Sequence, residues 1–347
     1  MAKVTNISWA HSTFNPWIGC TKVSPACDNC YAEGVAKRMG KKLWGKDADR
    51  FFTMENYWEA PLRWNEEAGR RSEPWRVFCG SLCDVMEDRR DLDGRREMLF
   101  ELIEATPNLT WLLLTKRPEN FLKLTPEEWN HPHAWPKNAW AMTTAENQRR
   151  LDERLPHLLK VPTEVRGLSI EPLLGPIVLP DTALPCTACR GRGYGLPFFS
   201  ADYCEPCDAC LQRARALDGG SLLGPGKYAK FDTIHWVIVG GESGGKARPM
   251  HPAWVRSLRD QCAKHRVAFH MKQWGEWRSP ESGEAYDTTN GSGQKRKAFI
   301  IQPDGTVKCF GKSEGDEVVV RVGVKKAGRL IDGKLWDQTP QSMVVPV

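Results

Sequence analysis

A chain of 347 residues can bury a large core, as one big domain or two ordinary ones. Lysine and arginine exceed aspartate and glutamate by six, which permits a polyanionic partner without requiring one. No apolar run is long enough for a membrane helix and the N-terminus lacks an export leader, so a soluble, cytoplasmic protein with reduced thiols is expected. The twelve cysteines then point to metal ligation rather than disulfides. Of the fifteen tryptophans, most are expected in the core or in groove walls, with few left to stack on bases.

In chain order, a strand near residues 7–9 precedes Cys20-Thr-Lys-Val-Ser-Pro-Ala-Cys27-Asp-Asn-Cys30, a loop shaped by Gly19, Ser24 and Pro25. Thiolates are the ligands preferred by zinc, copper(I) and iron-sulfur clusters. A structural zinc site is closed by four protein ligands, whereas a site that must bind substrate keeps a position open; three cysteines suit the second case, and His11 is the candidate fourth ligand for the first. The polar, aromatic-dotted stretch 51–64 has no readable role. Short apolar runs then alternate with helical patterns. Strands are expected at 77–80, 111–115, 139–143, 166–170, 236–239 and 267–270, with helices at 91–105 (Met98, Leu99, Leu102 and Ile103 inward), after 144 (Leu151, Leu155, Leu158) and at 252–262.

Short strands buried on both faces and separated by helices predict an α/β fold, a full or partial (β/α) barrel with parallel strands. In such a barrel the chemistry lies at the C-terminal ends of the strands. Here those ends carry Ser81 and Asp84, then Thr115, Lys116 and Arg117, then Thr144, Glu146 and Asn147, then Ser169 and Glu171, then Glu242 and Ser243, then Lys272 and Gln273. Some are expected to cap helices, Thr144 and the pair Glu242 and Ser243 being candidates; the recurrence over six strands favours a site.

An insertion over 177–230 interrupts the alternation. Its knuckles Cys186-x2-Cys189 and Cys204-x2-Cys207 predict zinc, each offering two thiolates from one turn; Cys210 is an alternate ligand, and a second iron-sulfur cluster is the rival occupant. Cys79, Cys83, Cys262 and Cys309 have no ligand spacing and are expected to be buried small hydrophobes. Beyond residue 278 the chain turns polar and glycine-rich, with a strand-like Glu317-Val-Val-Val-Arg321, and residues 279–347 are expected to form a small appendage or lid on the 1–278 barrel. The basic stretch 324–329 is a candidate for meeting phosphates, or a solvated surface.

The three-cysteine loop after a first strand resembles the radical S-adenosylmethionine superfamily, with gaps of six and two in place of the usual three and two. The wider set Asn15-Pro-Trp-Ile-Gly-Cys20, Cys30-Tyr-Ala, Gly80-Ser-Leu-Cys-Asp84, Leu114-Thr-Lys-Arg-Pro118, Ser169-Ile-Glu-Pro-Leu-Leu-Gly175, Gly240-Gly-Glu-Ser243, Lys272-Gln-Trp-Gly275 and Gly328-Arg-Leu-Ile-Asp-Gly333 resembles a phage and prophage branch placed near spore photoproduct lyase. The resemblance implies that Cys20, Cys27 and Cys30 hold a [4Fe-4S] cluster whose open iron chelates S-adenosylmethionine, which an external reductant helps cleave to a 5'-deoxyadenosyl radical. From their position at the barrel's strand ends, Ser81, Asp84, Thr144, Glu146, Asn147 and Ser169 are candidates for cofactor contacts, and Lys116, Glu171, Glu242 and Lys272 for substrate chemistry. The setting of the resemblance suggests DNA or a modified nucleotide as substrate, in repair or in bacteriophage DNA hypermodification by an isomerase that shifts a glycyl group on thymine, in the host cytoplasm if phage-encoded.

Two other readings follow from the same residues. One is a non-catalytic, metal-stabilised nucleic-acid-binding protein with zinc in both cysteine groups. The other is an electron-transfer or redox-sensing cluster protein. Neither requires a polar barrel mouth.

Overall fold

Parallel strands that are covered on both faces need apolar side chains on both faces, and the short apolar runs supply them. The computed structural model describes residues 5–131, 133–185, 233–287 and 296–340. Seven strands, β1 (Ser12–Phe14), β2 (Trp75–Cys79), β3 (Leu109–Thr115), β4 (Ala139–Thr144), β5 (Arg166–Ile170), β6 (Trp236–Gly240) and β7 (Ala268–Gln273), form one sheet. Every pairing in it is parallel, and spatial order follows chain order. The sheet ends at β1 and β7, so the fold is an α/β partial barrel. Its main helices are α1 (Tyr31–Arg38), α2 (Ala60–Ala68), α3 (Asp93–Glu104), α4 (Gln148–Leu159) and α5 (Pro252–His265). Among the described residues no helix is long and apolar enough to cross a membrane.

Side chains alternate along each strand. One set, Phe78, Leu112, Trp140, Met142, Trp236, Ile238 and Ala268, forms a cluster with Trp9. The intervening set, including Val77, Trp111, Leu113, Leu168, Val237, Val239 and Phe269, packs with Leu99, Ile103, Leu151, Leu155, Val255 and Leu258 of the helices. Met98, expected inward on α3, is 38% exposed instead; three inward positions already fill that face.

The first strand is β1 at Ser12–Phe14 and not at 7–9, because residues 7–10 make a turn closed by the Ala10 N–H on the Ile7 carbonyl. That turn delivers Trp9 to the inner cluster, 4.6 Å from the Phe78 ring and edge-on to Trp236 at 6.4 Å. Ser8 Oγ meets His270 Nε2 of β7 at 2.8 Å, so the entering chain bridges the gap that pairing leaves between the first and last strands.

The unreadable stretch 51–64 supplies a strand Phe51–Phe52 paired to Trp17–Ile18, a helical turn Glu55–Trp58, and the start of α2. Downstream, β8 (Trp277–Arg278), β9 (Tyr286–Asp287), β10 (Arg296–Ile301), β11 (Val307–Lys308) and β12 (Glu317–Arg321) make a second, small sheet. The segment after it runs along the edge strand β7: the Trp336 carbonyl accepts from the Met271 N–H and Arg329 Nε donates to the Met271 carbonyl. A bare sheet edge is thereby covered, and Arg329 of the basic 324–329 stretch is engaged with the sheet. The predicted zinc ligands Cys186, Cys189, Cys204 and Cys207, with the alternate Cys210, lie outside the described residues.

Removing the Trp9 side chain would leave a large void in the inner cluster. Trp9→Ala is expected to cost about 3–5 kcal/mol, measured as a lower urea midpoint at unchanged m-value.

Candidate active site

The loop carrying the three cysteines lies over the C-terminal ends of the strands. Cys20, Cys27 and Cys30 are free thiols, and all three line one cavity together with Ser81, Asp84, Lys116, Thr144, Ser169, Glu171, Glu242 and Lys272. Trp9 and Phe78 of the inner cluster also line it, so the cavity has an apolar base and a polar upper wall.

Three arginine-carboxylate pairs from different strand ends grip this loop. At its start, Arg117 donates from Nη1 to Asp84 Oδ2 at 2.8 Å and from Nη2 to the Thr21 carbonyl at 2.6 Å, and it stands 3.8 Å from Cys20 Sγ. In the middle, Glu146 Oε1 accepts the Ala26 N–H at 3.1 Å while Oε2 accepts from Arg154 at 2.9 Å. Near its end, Glu242 accepts from Arg248 at 2.6 and 2.9 Å and from Asn29 Nδ2 at 3.0 Å, and Arg248 reaches the Pro25 carbonyl at 2.8 Å. The loop starts at Gly19, whose φ of +124° and whose place 2.6 Å from the Leu43 carbonyl oxygen, measured from where a Cβ would sit, admit only glycine. The Gly240-Gly241-Glu242 turn is seated likewise: a Cβ on Gly241 would fall 2.0 Å from the Trp274 carbonyl oxygen.

All three carboxyls are held below their usual range. Burial pushes Asp84 up, but the Arg117 charge and hydrogen bonds from Thr115 and the Lys116 N–H outweigh it. Burial likewise opposes ionisation of Glu146, and hydrogen bonds from Ser24 and the Ala26 N–H with the Arg154 charge reverse the balance. At Glu242 the hydrogen bonds from Arg248 and Asn29 override burial. Cys20 behaves oppositely: burial, then the Asp84 charge, pushes its thiol up to about 12.

Of the ten polar residues given cofactor or substrate roles from the sequence, eight line the cavity. Glu146 and Asn147 do not: Glu146 is fully buried behind the loop, and Asn147 Oδ1 caps α4 by accepting the Arg150 N–H. The expected caps Thr144 and Glu242-Ser243 are replaced by Asn147 and by His251, whose Nδ1 accepts the Ala253 N–H at the start of α5. Within the cavity Lys272 Nζ pairs with Glu171 Oε1 at 2.6 Å, joined by Gln273 Nε2 at 3.3 Å. Ser81 is engaged by Asn15 Nδ2 at 2.9 Å. Lys116 has no carboxylate partner among the described residues. Cys79 and Cys262 are buried as expected; Cys83 and Cys309 are only half-buried, and Cys83 lines the cavity.

His11 is not a fourth ligand. It lies at the opposite end of β1 from the loop, where its Nδ1 accepts the Arg76 N–H at 2.9 Å. Sequence reasoning missed Arg154 and Arg248. Arg154 had a signal, since it lies on the Leu151, Leu155 and Leu158 face of α4 and a charge on a buried face needs a partner. Arg248 sits in an irregular loop and had none.

Among the described residues no group of three or more His, Cys, Asp or Glu side chains is gathered to hold one metal ion. A four-iron cubane binds each thiolate to a different iron and needs three thiols around a cavity instead of around a point. The donor set here, three unbridged thiols lining one cavity, fits such a cluster.

Because each depressed carboxyl contributes stability above its unfolded pKa of about 4 and loses it as pH falls through the lower folded value, acid should weaken the loop clamps. Glu146→Gln leaves Arg154 buried without a counter-charge, a change expected to cost about 3–5 kcal/mol at neutral pH. The deficit against the parent should shrink below pH of about 4, as followed by urea unfolding at a series of pH values.

The chain is similar to a mutant of spore photoproduct lyase at 15% identity and a TM-score of 0.37, over 92% of this chain and 70% of that one. It is similar also to spore photoproduct lyase complexed with dinucleoside spore photoproduct, at 14% identity and a TM-score of 0.34, over 88% and 67%. No curated protein matches. The family model described as a protein of unknown function, DUF5131, matches residues 4–340, and the chain belongs to that family.

Proposed function

We propose that this chain is a radical S-adenosylmethionine enzyme that acts on a nucleobase in DNA. The observation that carries the reading is the convergence of Cys20, Cys27 and Cys30 on one cavity at the C-terminal ends of a parallel partial barrel, beside polar residues from successive strands. Cys20, Cys27 and Cys30 would hold a [4Fe-4S] cluster. With S-adenosylmethionine and an external reductant, that group supplies hydrogen abstraction from unactivated carbon.

The residues divide the remaining work. Trp9 and Phe78 give the cavity an apolar base that keeps water away from reactive species. Lys116, whose ammonium has no carboxylate partner among the described residues and which lines the cavity, is suited to an anionic group, the carboxylate of the cofactor or a phosphate of the substrate. The Lys272–Glu171 pair offers a proton donor and an acceptor at one point, while Thr144 and Ser169 offer neutral hydrogen bonds. The finer reading, an isomerase shifting a glycyl attachment on a phage thymine, rests on the resemblance of the strand-end motifs. Zinc at the 186–210 cysteines rests instead on their two C-x2-C knuckles.

Anaerobic reconstitution with iron and sulfide should load about four irons per chain, and adding S-adenosylmethionine with a strong reductant should release 5'-deoxyadenosine. Cys27→Ala is expected to lose the iron and the product while keeping zinc at about one per chain. A parent protein that makes no 5'-deoxyadenosine would refute the enzyme reading; a variant that loses both metals together would refute two separate sites.

For Lys116, a charged hydrogen bond worth about 1.5–3 kcal/mol corresponds to a loss of roughly tenfold or more in affinity. Lys116→Met should therefore weaken either S-adenosylmethionine or substrate binding by that factor with the iron content unchanged. Equilibrium dialysis with each ligand identifies which group Lys116 meets.

A further inference from the structure

Segment 37–46, Lys-Arg-Met-Gly-Lys-Lys-Leu-Trp-Gly-Lys, holds five cations and no acid. Lys37 is paired with Glu33, whereas Arg38, Lys42 and Lys46 are exposed and have no carboxylate partner among the described residues. The segment is fastened to the cysteine loop itself: the Cys20 N–H donates to the Leu43 carbonyl and the Gly45 N–H to the Cys20 carbonyl. Trp44, between those contacts, lines the cavity.

On the other side of the same stretch, Phe51 and Phe52 pair with Trp17–Ile18 and leave both rings exposed, at 38% and 39%. The two rings point to opposite faces of the strand: Phe51, opposite Ile18, faces the 37–46 segment, with Lys41 Nζ 3.8 Å from its ring centre, while Phe52, opposite Trp17, faces Arg95 on the other side. A ring set beside unpaired cations is a composition that holds a single nucleic-acid strand, through stacking and phosphate contacts.

We infer that this surface docks a single-stranded segment of DNA, with Arg38, Lys42 and Lys46 on its phosphates and Phe51 against a base, alongside the opening through which one base enters the cavity. The inference rests on the reading of the cavity as a nucleobase site and deepens it. A free nucleotide needs only the cavity; a strip of charge outside it serves a polymer, whose target base must leave its stack to reach the chemistry.

The test is fluorescence anisotropy with a labelled single-stranded oligonucleotide across a salt series, using the reconstituted protein. Each phosphate contact contributes about 0.7 to the slope of log K against log salt for single strands. The triple variant Arg38→Glu, Lys42→Glu, Lys46→Glu should lower the slope by about 2 and weaken binding at least about tenfold. Each single variant should lower it by about 0.7, a second reading that does not depend on the triple variant folding. Formation of 5'-deoxyadenosine without DNA should be unchanged, because none of the three side chains lines the cavity.

Equal binding by parent and variants overturns the docking surface, even if 5'-deoxyadenosine is made. Binding of anionic lipid vesicles with no binding of DNA overturns it in favour of a membrane surface. Charge-dependent DNA binding in a protein that makes no 5'-deoxyadenosine supports the surface and removes the radical reading instead.

Discussion

Everything at the mouth of this barrel depends on three ion pairs, the buried Asp84 with Arg117 and Glu146 with Arg154, and the half-buried Glu242 with Arg248. The cysteine loop has little regular structure of its own, so its backbone polar groups must find partners elsewhere or cost free energy. The pairs provide them at Thr21, Pro25 and Ala26. Each pair is seated at or just beyond the end of a different strand, so the positions of the three thiols are inherited from the sheet and not from the loop. A loop held this way has the precision of a rigid scaffold with the reach of a flexible segment.

The same constraint explains why the interior is divided. The strand side chains that face Trp9 are mostly apolar from Phe78 across to Ala268; the polar ones among them are matched, Arg76 Nε by the Trp9 carbonyl and the buried His270 by Ser8, and most other polar groups gather where the strands end. Trp9 makes this division complete, since it fills the space where β1 and β7 fail to pair. An open barrel with a tryptophan in the gap can be dry below and polar above.

Strand positions β2 to β7 were legible because both faces of each strand are buried and its apolar run is therefore continuous. The first strand was not: Ser12-Thr-Phe14 is short and half polar, and the apolar residues before it, Ile7 and Trp9, belong to a turn. At the site, residue types were legible and roles were not. Asp84, Glu146 and Glu242 stand where barrel chemistry is expected, but which carboxylate faces a cavity and which backs a loop is decided by the arginine opposite. Arg154 comes from a helix eight residues on, and Arg248 from an irregular loop. Asn147 shows the same ambiguity at a single residue, because an N-cap and a ligand contact require the same amide.

Polar strand ends therefore cannot be counted as catalytic groups. Asp84, Glu146 and Glu242 are held ionised by their arginines and by hydrogen bonds, so none is poised to exchange a proton near neutral pH; an acid or base must have a pKa close to the operating pH. Ser81 is tied to Asn15. What remains facing the cavity is smaller: Lys116, whose ammonium has no carboxylate partner among the described residues, Thr144, Ser169 and Ser243 with neutral hydroxyls, and the Glu171–Lys272 pair. These come from the ends of β3 to β7, a continuous arc, although Glu242 of β6 is committed to the loop. The arc that holds the cysteines and the arc left for a ligand thus interleave around one rim, and any ligand reaching the second must pass the first.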